Sequence, residues 1–194
     1  VSFAAVAEAA YLHPERLPGG MEPALEASVV YEPAQSSGAF SYVTHACVLA
    51  ADVGTGLIEL LDYVGCHDCG TMVNPMIVEA QIVGGVAQGI GTALYEESPY
   101  DENGQPMAST FLDYIIPGAT EVPDVRVLHM ETPSPHTRFG IKGMGEGGAI
   151  APPVVIANAV NDALRRIGVE VAEPLLTPDR LLTAVAAART AQTE

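Results

Sequence analysis

The chain contains no tryptophan, only eight lysines and arginines against 24 acids, three cysteines, and no unbroken run of apolar residues as long as a membrane span. Each shortage excludes something. A formal charge of −16 repels a phosphate backbone and no basic cluster offsets it, so nucleic acid is not an expected partner. Cys47, Cys66 and Cys69 are odd in number and irregular in spacing, which argues against a disulfide framework and for a reducing, cytoplasmic compartment. Cys66-His67-Asp68-Cys69 is formally C-x-x-C. Without a second pair it reads as strand-end packing rather than as a zinc or redox site. Neither a leader with a charged start and an apolar middle nor an initiator methionine is present. The chain opens at Val1, inside a predicted helix, and so reads as a processed protein or a piece of a longer one.

What is there suffices for a core. Of 194 residues, 48% are hydrophobic, enough for one large or two small domains. A positive mean hydropathy beside few aromatics implies apolar surface that a partner or further chain covers. Ser2 caps a predicted helix over Phe3 to Tyr11, and Leu17-Pro18-Gly19-Gly20 breaks it. A strand is predicted at Leu25 to Tyr31 and a turn at Ser36-Ser37-Gly38. Ser41 to Asp52 and Leu57 to Val64 form a predicted hairpin around Val53-Gly54-Thr55-Gly56. Asn74-Pro75, a cap residue followed by proline, opens a helix reaching about Glu97. A turn follows at Asp101 to Gly104, then strands at Thr110 to Ile116 and Val125 to Glu131. Pro152-Pro153 starts a helix through Arg166, closed by Gly168, and Thr177-Pro178 starts a last helix to about Arg189, followed by a frayed polar tail. Strands and helices interspersed without strict alternation predict an α+β fold with mixed or antiparallel sheets and packed helices.

Two glycine-bearing stretches stand out. Gly140-Ile141-Lys142-Gly143-Met144-Gly145-Glu146-Gly147-Gly148 holds five glycines in nine residues around a single carboxylate. So dense a run is costly as helix or strand and reads as a shaped loop, either a surface turn with a solvated Glu or a frame that positions Glu146. The helix from Asn74 carries Gln81, Gly84, Gly85, Gln88, Gly89 and Gly91, with the two glutamines seven apart and so on one face. Four helix-interior glycines forfeit roughly 2–4 kcal/mol relative to alanine. Close helix packing or close approach of a ligand to bare backbone can offset that. Spacing alone favours packing, while primary amides suit a polar cofactor rich in ring nitrogens and carbonyls. Neither stretch is a Walker A or dinucleotide loop, and no G-x-S-x-G or H-E-x-x-H motif occurs. His45, His67, His129 and His136 are scattered and read as structural or surface residues.

Three ordered motifs together resemble one family. Cys66 to Pro75 is similar to the strand-to-helix junction of the molybdenum hydroxylases, the xanthine dehydrogenase, aldehyde oxidase and aerobic carbon monoxide dehydrogenase family. Val78 to Gly91 resembles that family's pterin-binding helix, Gly140 to Gly148 its catalytic loop, and Pro152 to Leu164 the helix after it. The resemblance implies that residues 1–194 are the C-terminal, molybdopterin-binding part of a longer large subunit. It implies Glu146 as general base, and Gln81, Gly84, Gly85, Gln88, Gly89, Lys142, Gly143 and Gly145 around a molybdenum-molybdopterin cofactor, with no residue bound to the metal directly. Whether the pterin carries a cytosine dinucleotide stays open. The implied partners are the rest of the large subunit, an iron–sulfur small subunit carrying [2Fe–2S] clusters and a medium subunit carrying FAD, since no cysteine spacing here can hold such a cluster. The implied reaction is oxidation of a small substrate at an electrophilic carbon with oxygen from water. The alternatives are a non-catalytic assembly module of the same fold and, more weakly, an anion-binding domain, which the acidity opposes.

Overall fold

The computed structural model describes residues 1–32, 35 and 39–191, which divide into two compact units, 1–36 and 37–194. The expected turn at Ser36-Ser37-Gly38 lies outside the described residues, as do residues 192–194 of the tail.

The first unit contains helix α1 (Phe3–Tyr11), whose Ser2 hydroxyl accepts from the Ala5 N–H at 3.3 Å as expected of a cap. The strand predicted at Leu25 to Tyr31 does not form. The segment has no ladder partner among the described residues, and its β-forming side chains, Val29 and Val30, stand almost fully exposed. Strand propensity is realised only against a neighbour.

The second unit is built on three strands in the order β1 (Tyr42–Ala51), β2 (Ile58–Asp68) and β3 (Val125–Met130). β1 and β2 form the predicted antiparallel hairpin, with a bulge at Val48/Leu49, and β3 runs parallel to β2. The α+β expectation holds, with a mixed sheet. β2 runs on to Asp68, past the Val64 limit read from sequence, because it is hydrogen-bonded on both sides there, to Tyr42 and to Met130. Thr110 to Ile116, expected as a strand, is a turn. The Thr110 hydroxyl accepts from the Leu112 N–H and donates to Asp113, local bonds that outcompete a ladder.

Helix α2 (Pro75–Leu94) begins where Asn74 accepts from the Ile77 N–H, and ends where the Tyr95 and Glu96 N–H groups both turn onto the Gly91 carbonyl. It is long and apolar enough to cross a membrane, yet Val78, Ile82, Val86 and Ile90 are buried inside the unit. Each such burial contributes about 1.5–3 kcal/mol. Val86 and Ile90 join Tyr63 of β2, Ile156 and Val160 of α4 (Pro152–Leu164), and Leu181 and Val185 of α5 (Pro178–Ala191) in the main core. α4 gives way to a 3-10 turn closed by Gly168 in the left-handed region (φ 73°).

The glycine run is not wholly loop. Gly147–Ile150 forms a short helix, α3. Gly147 and Gly148 serve there by being small: a Cβ on Gly148 would lie 2.4 Å from the Ile82 carbonyl oxygen of α2. From the other side, a Cβ on Gly85 would stand 2.8 Å from Gly148 Cα and Ala149 N, and one on Gly89 would stand 2.6 Å from Pro152 Cγ. Gly85 is thus offset by backbone-to-backbone packing and Gly89 by close packing under the Pro152 ring. Gly84, one residue earlier, meets nothing within 4 Å. We therefore expect Gly85→Ala to destabilise the fold by about 1–3 kcal/mol through overpacking, whereas Gly84→Ala should stabilise it by roughly 0.5–1 kcal/mol. Denaturant melts of the two variants check the contrast.

Candidate functional site

The loop after β3 is fastened at its root before it reaches Glu146. Gly140 sits at φ 72° and its carbonyl accepts from the Thr71 and Ser134 N–H groups at 3.2 and 3.0 Å. Gly70 (φ 66°) presses on the same carbonyl so closely that a Cβ there would stand 2.0 Å from it. Gly70 and Ile141 form an antiparallel bridge, and the Lys142 N–H donates to the Cys69 carbonyl at 2.8 Å.

One side chain ties these segments together. The Asp68 carboxylate, at the end of β2 and only 6% exposed, accepts from the Gly70 N–H at 2.9 Å, the Thr132 N–H at 3.1 Å and the Lys142 ammonium at 3.3 Å. Burial alone would raise its pKa. Hydrogen bonds from Thr132 and Gly70, with the Lys142 ammonium, outweigh that and hold the carboxyl well below the usual range. Lys142 is itself almost fully buried and lies 5.1 Å above the Tyr42 ring.

Beyond this anchor an open hollow of about 470 Å³ lies between α2 and the loop. Gln81, Gly84, Gly85 and Gln88 form one wall, and Gly145, Glu146, Ala149 and Ile150 the other. The Gln81 amide donates to the Gly145 carbonyl at 3.1 Å, linking the walls beside Glu146. Glu146 is exposed and directly precedes α3, with its carbonyl accepting from the Ala149 N–H. Of the nine residues singled out from sequence, six therefore meet at the hollow: Glu146, Gln81, Gly84, Gly85, Gln88 and Gly145. Three do not line it. Lys142 points into its pair with Asp68, Gly89 packs under Pro152, and Gly143 is exposed, with open space where a Cβ would stand. The hollow thus has neutral amides, bare backbone and one carboxylate, but no cation.

Sequence reasoning missed Asp68 as the anchor and the histidines as a group. His45, His67 and His129 share one face of the sheet, since His67 pairs with His129 and His45 lies opposite Gly65, two residues before His67. A glycine inside a strand, Gly65, was the available signal. Among the described residues no metal-holding cluster of His, Cys, Asp and Glu occurs, and all three cysteines are free, Cys69 being packed with Val78 and Ile82.

A family model described as "Molybdopterin cofactor-binding domain" matches residues 1–123. The nicotine 6-hydroxylase large subunit of Paenarthrobacter nicotinovorans is 41% identical over 95% of this chain and 22% of its own length. The carbon monoxide dehydrogenase large chain of Afipia carboxidovorans is 35% identical over 83% of this chain and 20% of its own. The crystal structure of quinoline 2-oxidoreductase from Pseudomonas putida 86 superimposes with a TM-score of 0.79 at 42% identity, over 96% of this chain and 23% of that one. The chain spans about a fifth of the length of the curated relatives it matches.

Replacing Asp68 with Asn leaves the Lys142 ammonium buried without its counter-charge, which should cost about 3–5 kcal/mol. The wild-type carboxyl is more acidic folded than unfolded, so its contribution is full above the unfolded value of about 4 and is lost as pH falls below it. Denaturant melts should find that acid-side loss in the wild type and a flatter profile in Asp68→Asn.

Proposed function

We propose, from the premise that this chain belongs to the molybdopterin cofactor-binding family of the molybdenum hydroxylases, that it supplies the cofactor-facing wall and the general base of such an oxidoreductase. The observation that carries this is the meeting of Glu146 with Gln81 and Gln88 across one hollow. The residues present fit a molybdopterin. Two amides can donate and accept along a pterin edge, and Gly84 leaves α2 backbone uncovered where a cofactor would approach. Gln81, Gln88, Gly84, Gly85 and Gly145 would hold it. When bound, the cofactor would supply the redox chemistry and a Lewis-acid centre.

The chain's own residues do the rest. Glu146 would serve as the base that takes up the proton released as a small substrate is oxidised at an electrophilic carbon. A base must be held within hydrogen-bond reach of the proton it takes. Its neighbour Gly145 is bonded to Gln81, and the loop root is fixed through Asp68, so the carboxylate enters the hollow from a constrained backbone. Lys142 takes part through that anchor rather than through the cofactor. The relatives at 41% and 42% identity are named for nicotine and quinoline and the one at 35% for carbon monoxide. We therefore favour an N-heterocyclic substrate. The remaining large-subunit segments, with [2Fe–2S] and FAD subunits to carry electrons away, complete the proposed enzyme in the cytoplasm.

In the assembled enzyme, Glu146→Gln should lower kcat by about 10²–10⁴-fold while molybdenum and pterin content stay at the wild-type level. Unchanged turnover refutes the base assignment. A wild-type complex persistently free of molybdenum and pterin refutes the enzyme reading and leaves the assembly module.

A further inference from the structure

Beneath the Glu146 loop lies a buried polar chain. The Tyr63 hydroxyl and His45 Nδ1 are 2.8 Å apart, and His45 Nε2 and His67 Nε2 are again 2.8 Å apart. Tyr63 and His67 are essentially inaccessible to solvent. The two rings meet above Gly65, where a Cβ would lie 3.1 Å from each Nε2, so the contact is built over a strand residue with no side chain. The other end of His67 abuts the loop: a Cβ on Gly147, the residue after Glu146, would stand 3.3 Å from His67 Nδ1. That nitrogen is buried and has no hydrogen-bond partner among the described residues.

Elementary chemistry constrains this arrangement. Two imidazole nitrogens at hydrogen-bond distance hold one proton between them. An added proton leaves that bridge in place and fills the outer nitrogens, which puts an N–H on the buried His67 Nδ1, where no acceptor lies, and a positive charge in the interior. The titratable groups facing the pair favour the neutral state. They are Tyr63 beside His45, Cys47 opposite Tyr63 on β1, and His129 opposite His67 on β3. α2 contributes Glu79, which lies 3.7 Å from His129 and so answers that ring rather than the pair, and the loop's exposed Glu146 lines the hollow rather than the pair. Burial, then the neighbouring His45 and His129, press His67 down to about 4, and burial lowers His45 as well.

We propose that His67, through the single proton it shares with His45 above Gly65, is a positioning residue for the Glu146 loop. The neutral pair holds the floor under Gly147, and an added proton, which charges the pair and puts an unpartnered N–H against Gly147, lets the loop shift. This rests on Glu146 being the base. A displacement of about 1 Å at a reacting group costs on the order of 100-fold in rate, so a small movement of this floor matters.

The test uses the assembled enzyme, with molybdenum content, pH–rate profiles and melting curves recorded together. His67→Ala should lower kcat roughly 10- to 100-fold with KM little changed. His67→Gln, which can still meet His45 but takes no proton, should restore most of that loss and give a less steep acid limb than the wild type. Gly65→Ala keeps both histidines but pushes them apart, and should lower kcat as His67→Ala does. A His67→Gln profile coincident with wild type, or a variant no better than His67→Ala, overturns the proposal. If the wild type holds no molybdenum or turns nothing over, the functional reading fails separately, and the melting curves decide the bridge. Because His67 resists protonation when folded, the wild type should lose stability as pH falls from about 6.5, the unfolded value, towards 4. His67→Gln should lack that loss, and parallel curves overturn the bridge.

Discussion

The approach of α2 to the Gly148–Ala149 backbone is the constraint on which the site depends. Gly85, Gly89 and Gly148 have no side chains, so the walls meet at distances a Cβ would forbid. The helix carrying Gln81 and Gln88 and the residue carrying the carboxylate are therefore held at a separation set by backbone atoms. Side chains in such a seam would have rotamers to choose among, and backbone has none, so the seam is rigid by construction. The propensity cost of several helix glycines is met by this fit, and Gly84, which makes no such contact, is the position whose glycine the packing leaves unexplained.

Asp68 supplies the second fixed point by a different kind of force. Its carboxylate is buried at a strand end and satisfied by two backbone N–H groups and one ammonium. Removing any of these leaves charge or donors unpaired in the interior, which is why such pairs are costly to break even when they add little net stability. The geometry that results is specific: the exits of β2 and β3 and the start of the glycine loop converge on one carboxylate. The lysine so used is withdrawn from the hollow, leaving Glu146 without a cation along that wall.

Much of this was legible in the chain because its signals are local. Ser2, Asn74-Pro75 and Pro152-Pro153 mark helix starts, and the hairpin follows from two β-forming runs around Gly54 and Gly56. The hollow's residues are named through the family resemblance, since spacing alone puts Gln81 and Gln88 on one face and favours packing for the glycines. What failed depends on contacts across the fold. Leu25 to Tyr31 has strand composition but no neighbour to pair with among the described residues, and Thr110 closes on itself through its own hydroxyl. Lys142 joins the expected cofactor residues through the resemblance of Gly140 to Gly148 to the family's catalytic loop. Its engagement with Asp68, 74 residues away, is settled by the sheet.

The histidines make the same point from the opposite direction. Scattered along the chain they suggest nothing, and only the register of three strands brings His45, His67 and His129 onto one face. That face also carries Tyr63 into the main core, so polar and apolar burial are built from the same strand and cannot be adjusted independently. A buried imidazole pair is a costly thing to keep where an aliphatic pair would pack as well. Here it ends under Gly147, at the seam that fixes Glu146, and a neutral hydrogen-bonded pair fixes ring orientation more tightly than aliphatic contacts do. Backbone seam, buried carboxylate and imidazole pair thus bear on the same short loop by three different forces, and Glu146 lines the hollow from the backbone so held.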